Sequence, residues 1–235
     1  MKHELIEKVA WLEHPPEGQP VKGMVLRFSG LGGTTGLKYD ADVQEIEWIH
    51  AGAMVVHPYH NPWAWMNGAT VQFVDELITA IIKKYKLSDS VPIIATGGSM
   101  GGHASLTYTL KSKHKIIGSY ASCPVCDLLF HYSERSDLPR TFHSAFGSYD
   151  QIENELKDFS PLHQAAQMPR IKYFVIHGLK DQAVSKANHS DKLIPELKKN
   201  GHDVIYREES NMGHCSPMTY EAYRAATDFV TEFLV

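Results

Sequence analysis

At 235 residues, 43% of them hydrophobic, the chain is long enough for one domain built on a sizeable core. Its formal charge of −4, from 23 Lys and Arg against 27 Asp and Glu, leaves no basic stripe of the kind nucleic acid requires. The first residues, Met1-Lys2-His3-Glu4-Leu5-Ile6-Glu7-Lys8, scatter charges where a secretory leader carries an apolar stretch, and no run reaches membrane-spanning length. The expectation is a cytoplasmic protein with neither nucleic-acid nor membrane partners, and nothing in the chain specifies an oligomeric state. Three cysteines, Cys123, Cys126 and Cys215, are an odd number without a regular framework, which fits a reducing compartment better than a disulfide scaffold.

In chain order, a first strand is expected over residues 5–12. The Pro15-Pro16-Glu17-Gly18-Gln19-Pro20 turn would join it to a second over 23–28 as an antiparallel hairpin. A glycine-rich loop, Ser29-Gly30-Leu31-Gly32-Gly33, follows. Next come a helix over 41–50 capped by Asp40 and a strand over 53–58. The loop after it carries His57, His60, Trp63 and Trp65. Val71, Val74, Ile78, Ile81 and Ile82 place a helical apolar face on 71–85. The run 91–96 is a strand that enters Gly97-Gly98-Ser99-Met100-Gly101-Gly102 and leaves it as a helix over 103–110. Later strands are expected over 115–121, 171–177 and 203–208, with helices over 186–199, bent at Pro195, and over 219–234. Continuous apolar runs such as Tyr173-Phe174-Val175-Ile176 suit strands buried on both faces of a parallel sheet. The alternation makes one domain over 1–235: an α/β fold, doubly wound, with about seven mostly parallel strands and helices on both faces. Residues 124–168 break the alternation and read as a small helical cap inserted in that domain. It carries Phe130, Tyr132, Phe142, Phe146 and Tyr149.

A strand that turns into a helix through Gly-x-Ser-x-Gly presents a serine on a strained turn, and its glycines let the two backbones approach closely. Such a serine needs a neutral histidine to take its proton and a carboxylate to fix that histidine's tautomer. Asp181, in His177-Gly178-Leu179-Lys180-Asp181, follows a strongly apolar strand. His214, in Met212-Gly213-His214, lies between the last strand and the last helix. Ser99, Asp181 and His214 therefore stand in the order nucleophile, acid, base. Asp127, after the preceding strand, is the rival acid. His57 and His60 flank a strand end and can line the pocket, but no clear third ligand stands near them for a metal. A structural hydrogen bond is expected of His177 and local packing of His103. The oxyanion requires two donors: the backbone N–H of Met100, after the nucleophile, and that of Leu31 in the glycine loop. The same loop is not a dinucleotide fingerprint, since Thr35 stands where the third glycine falls.

These residues resemble the α/β-hydrolase superfamily, most nearly small serine esterases and the catalytic domain of the prolyl oligopeptidase family, from about residue 20 to the C-terminus. The segments that carry the resemblance are the Gly97–Gly102 elbow, Ser160-Pro161-Leu162, Met168-Pro169, His177-Gly178-x-x-Asp181, and the loop at Ser29, where small esterases carry His-Gly-Leu/Phe-x-Gly. The resemblance implies an α/β-hydrolase fold, the triad Ser99–Asp181–His214, and neither metal nor organic cofactor. Two departures point away from a peptidase. The chain has no room for the β-propeller that oligopeptidases carry, and Phe28 stands near the position where some of them use a tyrosine hydroxyl.

The Cys123-Pro124-Val125-Cys126 segment follows a sheet strand rather than a thioredoxin-like context, so neither a redox nor a metal role is assigned to it. Cys215, beside the base, reads as a passive buried residue whose oxidation would inhibit. Trp63 and Trp65 read first as packing. They are also candidates, with His57 and Phe130, for the wall of an acyl pocket. No cationic group is seen to converge on the site. The expected reaction is hydrolysis of a small-molecule carboxylic ester through an acyl-Ser99 intermediate. The alternatives are a small peptidase or amidase on the same residues, and a non-catalytic ligand-binding protein that keeps the fold.

Overall fold

The computed structural model describes residues 1–147 and 150–235. Tyr149, expected among the cap aromatics, lies outside the described residues. Among those described, one seven-stranded sheet has the order β1-β3-β2-β4-β5-β6-β7. Its strands are β1 (Ala10–Glu13), β2 (Gly23–Phe28), β3 (Ala53–Pro58), β4 (Ile93–Gly98), β5 (Gly118–Ser122), β6 (Lys172–Gly178) and β7 (Asp203–Glu209). All pairings are parallel except β1 with β3, which runs from Ala10 opposite Pro58 to Glu13 opposite Val55.

Alternation along the central strands sends side chains into two cores. Met24, Leu26, Met54 and Val56 face α3 (Gly68–Tyr85) and α4 (Met100–Lys111), whose Val74, Leu77, Ile78, Ala104 and Tyr108 close that layer. Val25, Val55, Ile94, Phe174 and Ile176 face the opposite way. They meet Trp48 and Ile49 of α2 (Val43–Ala51) and Ala226, Phe229 and Val230 of α9 (Tyr220–Thr231). Near the far edge, α8 (Ser190–Lys199) supplies Leu193 and Leu197 against Tyr173 and runs through Pro195. No helix among the described residues is long and apolar enough to cross a membrane.

The structure corrects the reading of the N-terminus. Residues 5–12 are not one strand: a short helix, α1 (Ile6–Val9), buries Ile6 before β1 begins. Nor do the first two strands form a hairpin. β1, buried only at Ala10, suits an edge, whereas β2 is apolar on both faces and takes a central place between β3 and β4. The proline-rich link lacks the N–H groups of a hairpin ladder and instead carries the chain past β3. Asp42, not Asp40, caps α2: its carboxylate accepts from Glu45 N–H at 2.9 Å while Glu45 reaches back to Asp42 N–H at 2.8 Å. The fifth strand starts at Gly118 rather than 115, because Lys113 and Lys115 stand in solvent and Ile117 N–H already meets Ile93 O.

The stretch expected as a cap is helical: α5 (Leu128–Glu134), α6 (Pro139–Phe146) and α7 (Ile152–Asp158). Its Leu128, Leu138, Phe142 and Leu156 pack with Trp65, Met100 and Val184 in a core of their own. That core ties the first turn of α4 to the loop after β6.

Candidate active site

The sheet order reverses between β2 and β4, so the loops leaving their carboxyl ends diverge and open a cleft between them. Ser99 stands there, between β4 and α4, with φ 58° and ψ −123°. A non-glycine residue in such a conformation costs on the order of 1–3 kcal/mol and persists only where its surroundings fix it. Here Ser99 N–H donates to Ser122 O at 2.9 Å and Ser99 O accepts from His103 N–H at 3.0 Å. The elbow also needs its glycines: a Cβ on Gly97 would meet the carbonyls of Gly101 and Phe28, and one on Gly101 would sit inside the Phe28 carbonyl.

A cleft of about 560 Å³ is lined by Ser99 and His214, with Leu31, His57, Arg27 and Arg135 among its other walls. Behind His214 stands Asp181, whose side chain is fully buried. Its Oδ2 accepts from His214 Nδ1 at 2.8 Å, and its Oδ1 accepts from the N–H groups of Ala183 and Val184 at 2.8 and 3.0 Å. His177 Nε2 lies 3.3 Å from the same Oδ2 and 3.2 Å from Val184 O. A carbonyl only accepts, so that nitrogen carries a proton, while Nδ1 accepts from Ser190 Oγ at 2.7 Å. Burial alone would push the Asp181 carboxyl upward. The hydrogen bonds from His177, His214, Val184 and Ala183 outweigh it and hold the group well below the usual carboxylate range. The same hydrogen bond, seconded by Cys123 and opposed by burial, raises the His214 imidazole to about 9.

The expected oxyanion donors lie in the loop after β2 and at the start of α4. Gly32 and Gly33 spend their N–H groups on Pro62 O and Gly30 O, at 3.0 and 2.9 Å. Leu31 N–H has no backbone acceptor among the described residues, and Leu31 lines the cleft. Met100 opens α4, where first-turn N–H groups lack intrahelical acceptors.

Other expected residues fall elsewhere. Asp127 is bonded away from His214: it caps α5 through Phe130 N–H at 3.1 Å and pairs with His163 at 3.2 Å. Trp65 is not a cleft wall. It is buried, stacked on Phe142 at 4.4 Å, and donates its indole N–H to Thr141 Oγ1 at 2.9 Å. Trp63 lies under the Arg140 guanidinium, and Phe130 lies against His189 and Lys192; neither lines the cleft at Ser99. Of the proposed walls only His57 does so, held to the buried Glu45 at 2.5 Å. His60 is buried behind it on Asn61 O, and His103 is buried with Nε2 on Trp65 O.

Cys123 and Cys126 are both buried and turn to different partners. Cys126 Sγ meets Pro124 O, whereas Cys123 Sγ accepts from Cys215 N–H at 3.2 Å. Among the described residues three groups could present ligand atoms to one metal ion: Cys123–His214–Cys215, Cys123–His177–Asp181 and His131–Glu134–His189. The last is already knit together. Glu134 Oε2 takes His131 and His189, its Oε1 takes Ser185 N–H at 2.7 Å, and His189 Nδ1 accepts from Cys126 N–H.

Sequence reasoning missed the two arginines in the cleft wall. Arg27 interrupts the apolar run Met24-Val25-Leu26-Arg27-Phe28 on a central strand, where a charge is costly unless it has a task. That interruption was the available signal. Arg135, in the cap, offered none.

No curated protein matches the chain. Solved structures share its fold at low identity. A puromycin-hydrolyzing peptidase of Mycobacterium tuberculosis matches at 17% identity and a TM-score of 0.75, over 96% of this chain and 37% of that one. An acylaminoacyl peptidase of Pyrococcus horikoshii matches at 17% and 0.73, over 95% and 38%. The truncated form of a carbohydrate esterase from gut microbiota matches at 17% and 0.74, over 96% and 90%. The chain thus spans little more than a third of the two peptidases. Residues 65–235 match the model of the prolyl oligopeptidase family, and the chain belongs to that family of serine hydrolases.

Proposed function

We propose that the protein hydrolyses small carboxylic esters through an acyl-enzyme on Ser99. The observation that carries this reading is the cleft itself, which Ser99, His214 and Leu31 all line while His214 Nδ1 is fixed on Asp181 at 2.8 Å. With Nδ1 so bound, the far nitrogen of His214 is the acceptor for the Ser99 proton. Ser99 Oγ attacks the ester carbonyl. The N–H groups of Leu31 and Met100 receive the negative charge that develops on its oxygen, and protonated His214 returns the proton to the leaving alcohol. Water then repeats the sequence on the acyl-enzyme with His214 as base. Two features support an ester rather than a peptide: the likeness in fold to a carbohydrate esterase, and Phe28 near the position of a donating tyrosine.

The peptidase reading has support of comparable weight, since the family match and the two longer structural neighbours are peptidases by name. Turnover of p-nitrophenyl acetate and butyrate, beside aminoacyl and peptidyl p-nitroanilides, separates the two readings. Ester cleavage that is lost in Ser99→Ala, with anilides left intact, is the expected result. Anilide turnover at similar efficiency makes the protein a peptidase.

A further inference from the structure

We propose that the cleft at Ser99 recognises a carboxylate carried by the substrate, held between Arg27 and Arg135; this rests on the ester-hydrolase reading and names its substrate class. Among the described residues, those lining the cleft include these two arginines and no Asp or Glu. The nearest carboxylates, Asp42 and Asp137, are half-exposed partners of the arginines themselves.

Arg27 lies two residues before Ser29, at the carboxyl end of β2, which sets its guanidinium beside the oxyanion loop. Its three nitrogens face different neighbours, and only one of them is at hydrogen-bonding length. Nη1 donates to Gln44 Oε1 at 3.2 Å, and the group lies over the Trp48 ring at 5.3 Å. Its carboxylate neighbours are more distant, Asp42 at 3.5 Å and Glu45 at 3.8 Å. Glu45 is meanwhile shared with His57 at 2.5 Å and Lys38 at 2.8 Å, so its charge is spread over three cations or potential cations. A guanidinium has five N–H donors, and one of Arg27's is engaged at hydrogen-bonding length by a side chain. Arg135 ends α5 on the cap side of the cleft. It grips Asp137 through Nε at 3.0 Å and Nη2 at 2.6 Å, which orients the guanidinium, and it lines the cleft.

Two planar forks fixed in advance suit a carboxylate better than any neutral group. Each guanidinium can offer the carboxylate a charge-assisted hydrogen bond, and little side-chain freedom is lost on binding. A neutral ester of the same shape forgoes those charge-assisted bonds, so discrimination of roughly ten- to a hundredfold in kcat/KM follows.

The test uses matched substrates. On the acyl side, p-nitrophenyl hydrogen adipate is compared with p-nitrophenyl hexanoate. On the leaving-group side, 4-carboxyphenyl butyrate is compared with 4-carbamoylphenyl butyrate. Spontaneous hydrolysis is subtracted throughout. One anionic member is expected to exceed its neutral partner about tenfold or more at low salt. The pair that shows the preference tells which side of the scissile bond carries the charge. The ratio should fall toward one in Arg27→Gln, in the more exposed Arg135→Gln, and in 0.5 M sodium chloride. A structural role for Arg27 would lower both partners together and leave the ratio alone. Adipate binding to Ser99→Ala, followed by calorimetry, adds a readout independent of turnover, and Arg27→Gln in that background should weaken it at least tenfold. Neutral esters cleaved as well as anionic ones overturn the carboxylate site and leave the hydrolase standing. Adipate bound through the arginines with no ester cleaved overturns the hydrolase reading alone. Absence of adipate binding to the folded Ser99→Ala protein overturns the site.

Discussion

Asp181→Asn tests the proposed chemistry with the least change of shape. The carboxylate accepts three hydrogen bonds in a fully buried position, two from backbone N–H groups on Oδ1 and one from His214 on Oδ2, with His177 Nε2 a further 3.3 Å contact on Oδ2. An asparagine cannot serve both sides. If its oxygen faces Ala183 and Val184, its NH2 points at His177 Nε2–H, donor against donor. His214 must then accept on Nδ1, which puts its proton on the nitrogen that faces Ser99. If the amide is turned over, its NH2 meets two backbone donors instead. The first arrangement abolishes the base, a loss of about 10⁴-fold in kcat, or about 5 kcal/mol of transition-state stabilisation. The second leaves buried donors unpaired, which costs about 1–3 kcal/mol of stability per group. Turnover of p-nitrophenyl butyrate, with melting temperatures recorded beside it, measures both. Asp127→Asn is the control, expected to keep activity within a few fold, since an amide oxygen still accepts from Phe130 N–H at the cap of α5. An Asp181→Asn protein that retains more than about a tenth of wild-type kcat/KM refutes the reasoning, the more so if Asp127→Asn is the variant that fails.

Further outcomes follow from the same geometry. His214 must be neutral to act and is raised to about 9 chiefly by its bond to Asp181, so kcat/KM should climb with pH to a half-maximum well above 6.5. Asp181→Asn should move the residual limb downward, and a wild-type limb at or below 6.5 contradicts the assignment. Gly101→Ala drives a methyl group into the Phe28 carbonyl and should cost roughly 3 kcal/mol or more, seen as loss of soluble protein or a large fall in Tm. Trp65→Ala removes a buried, stacked indole and should cost about 3–5 kcal/mol, roughly 10 °C in Tm, with little change in KM because the ring is not in the cleft. Burial works against Glu45, but the bonds from His57, Lys38 and Asp42 N–H hold it at about 2. Its stabilisation, roughly 3 kcal/mol, is present above the unfolded value near 4.5 and disappears as the pH falls toward 2. Acid unfolding of Glu45→Gln should accordingly be shallower over that window.

Patterns of one or two residues made much of this molecule legible. The apolar runs over Gly23–Phe28 and Ala53–Pro58 matched β2 and β3 in their observed bounds, because both faces of a central strand must be apolar. The glycine spacing about Ser99 marked the strand-to-helix turn, since side chains at 97 and 101 cannot fit there. Asp181 and His214 were found by their places after particular strands, and the fold brings them within 2.8 Å of each other across 33 residues. Pairing partners were not legible. The β1–β3 contact depends on which strand can bear an exposed edge, a property of the whole sheet. The cleft wall was misjudged because aromatic residues in a loop announce burial and binding alike. Trp65 has a polar partner inside the cap core, in Thr141, so it packs there instead of facing the cleft. Arg135 reaches the cleft only through the folding of the cap, a contact between segments that no local spacing encodes.

The most direct test of the central claim is covalent labelling of the folded protein with a fluorophosphonate, followed by peptide mapping of the adduct. One equivalent of label on Ser99, lost in Ser99→Ala and slowed by orders of magnitude in Asp181→Asn and His214→Ala, is the result predicted. A folded protein that takes up no label, or takes it up on another residue, contradicts the account.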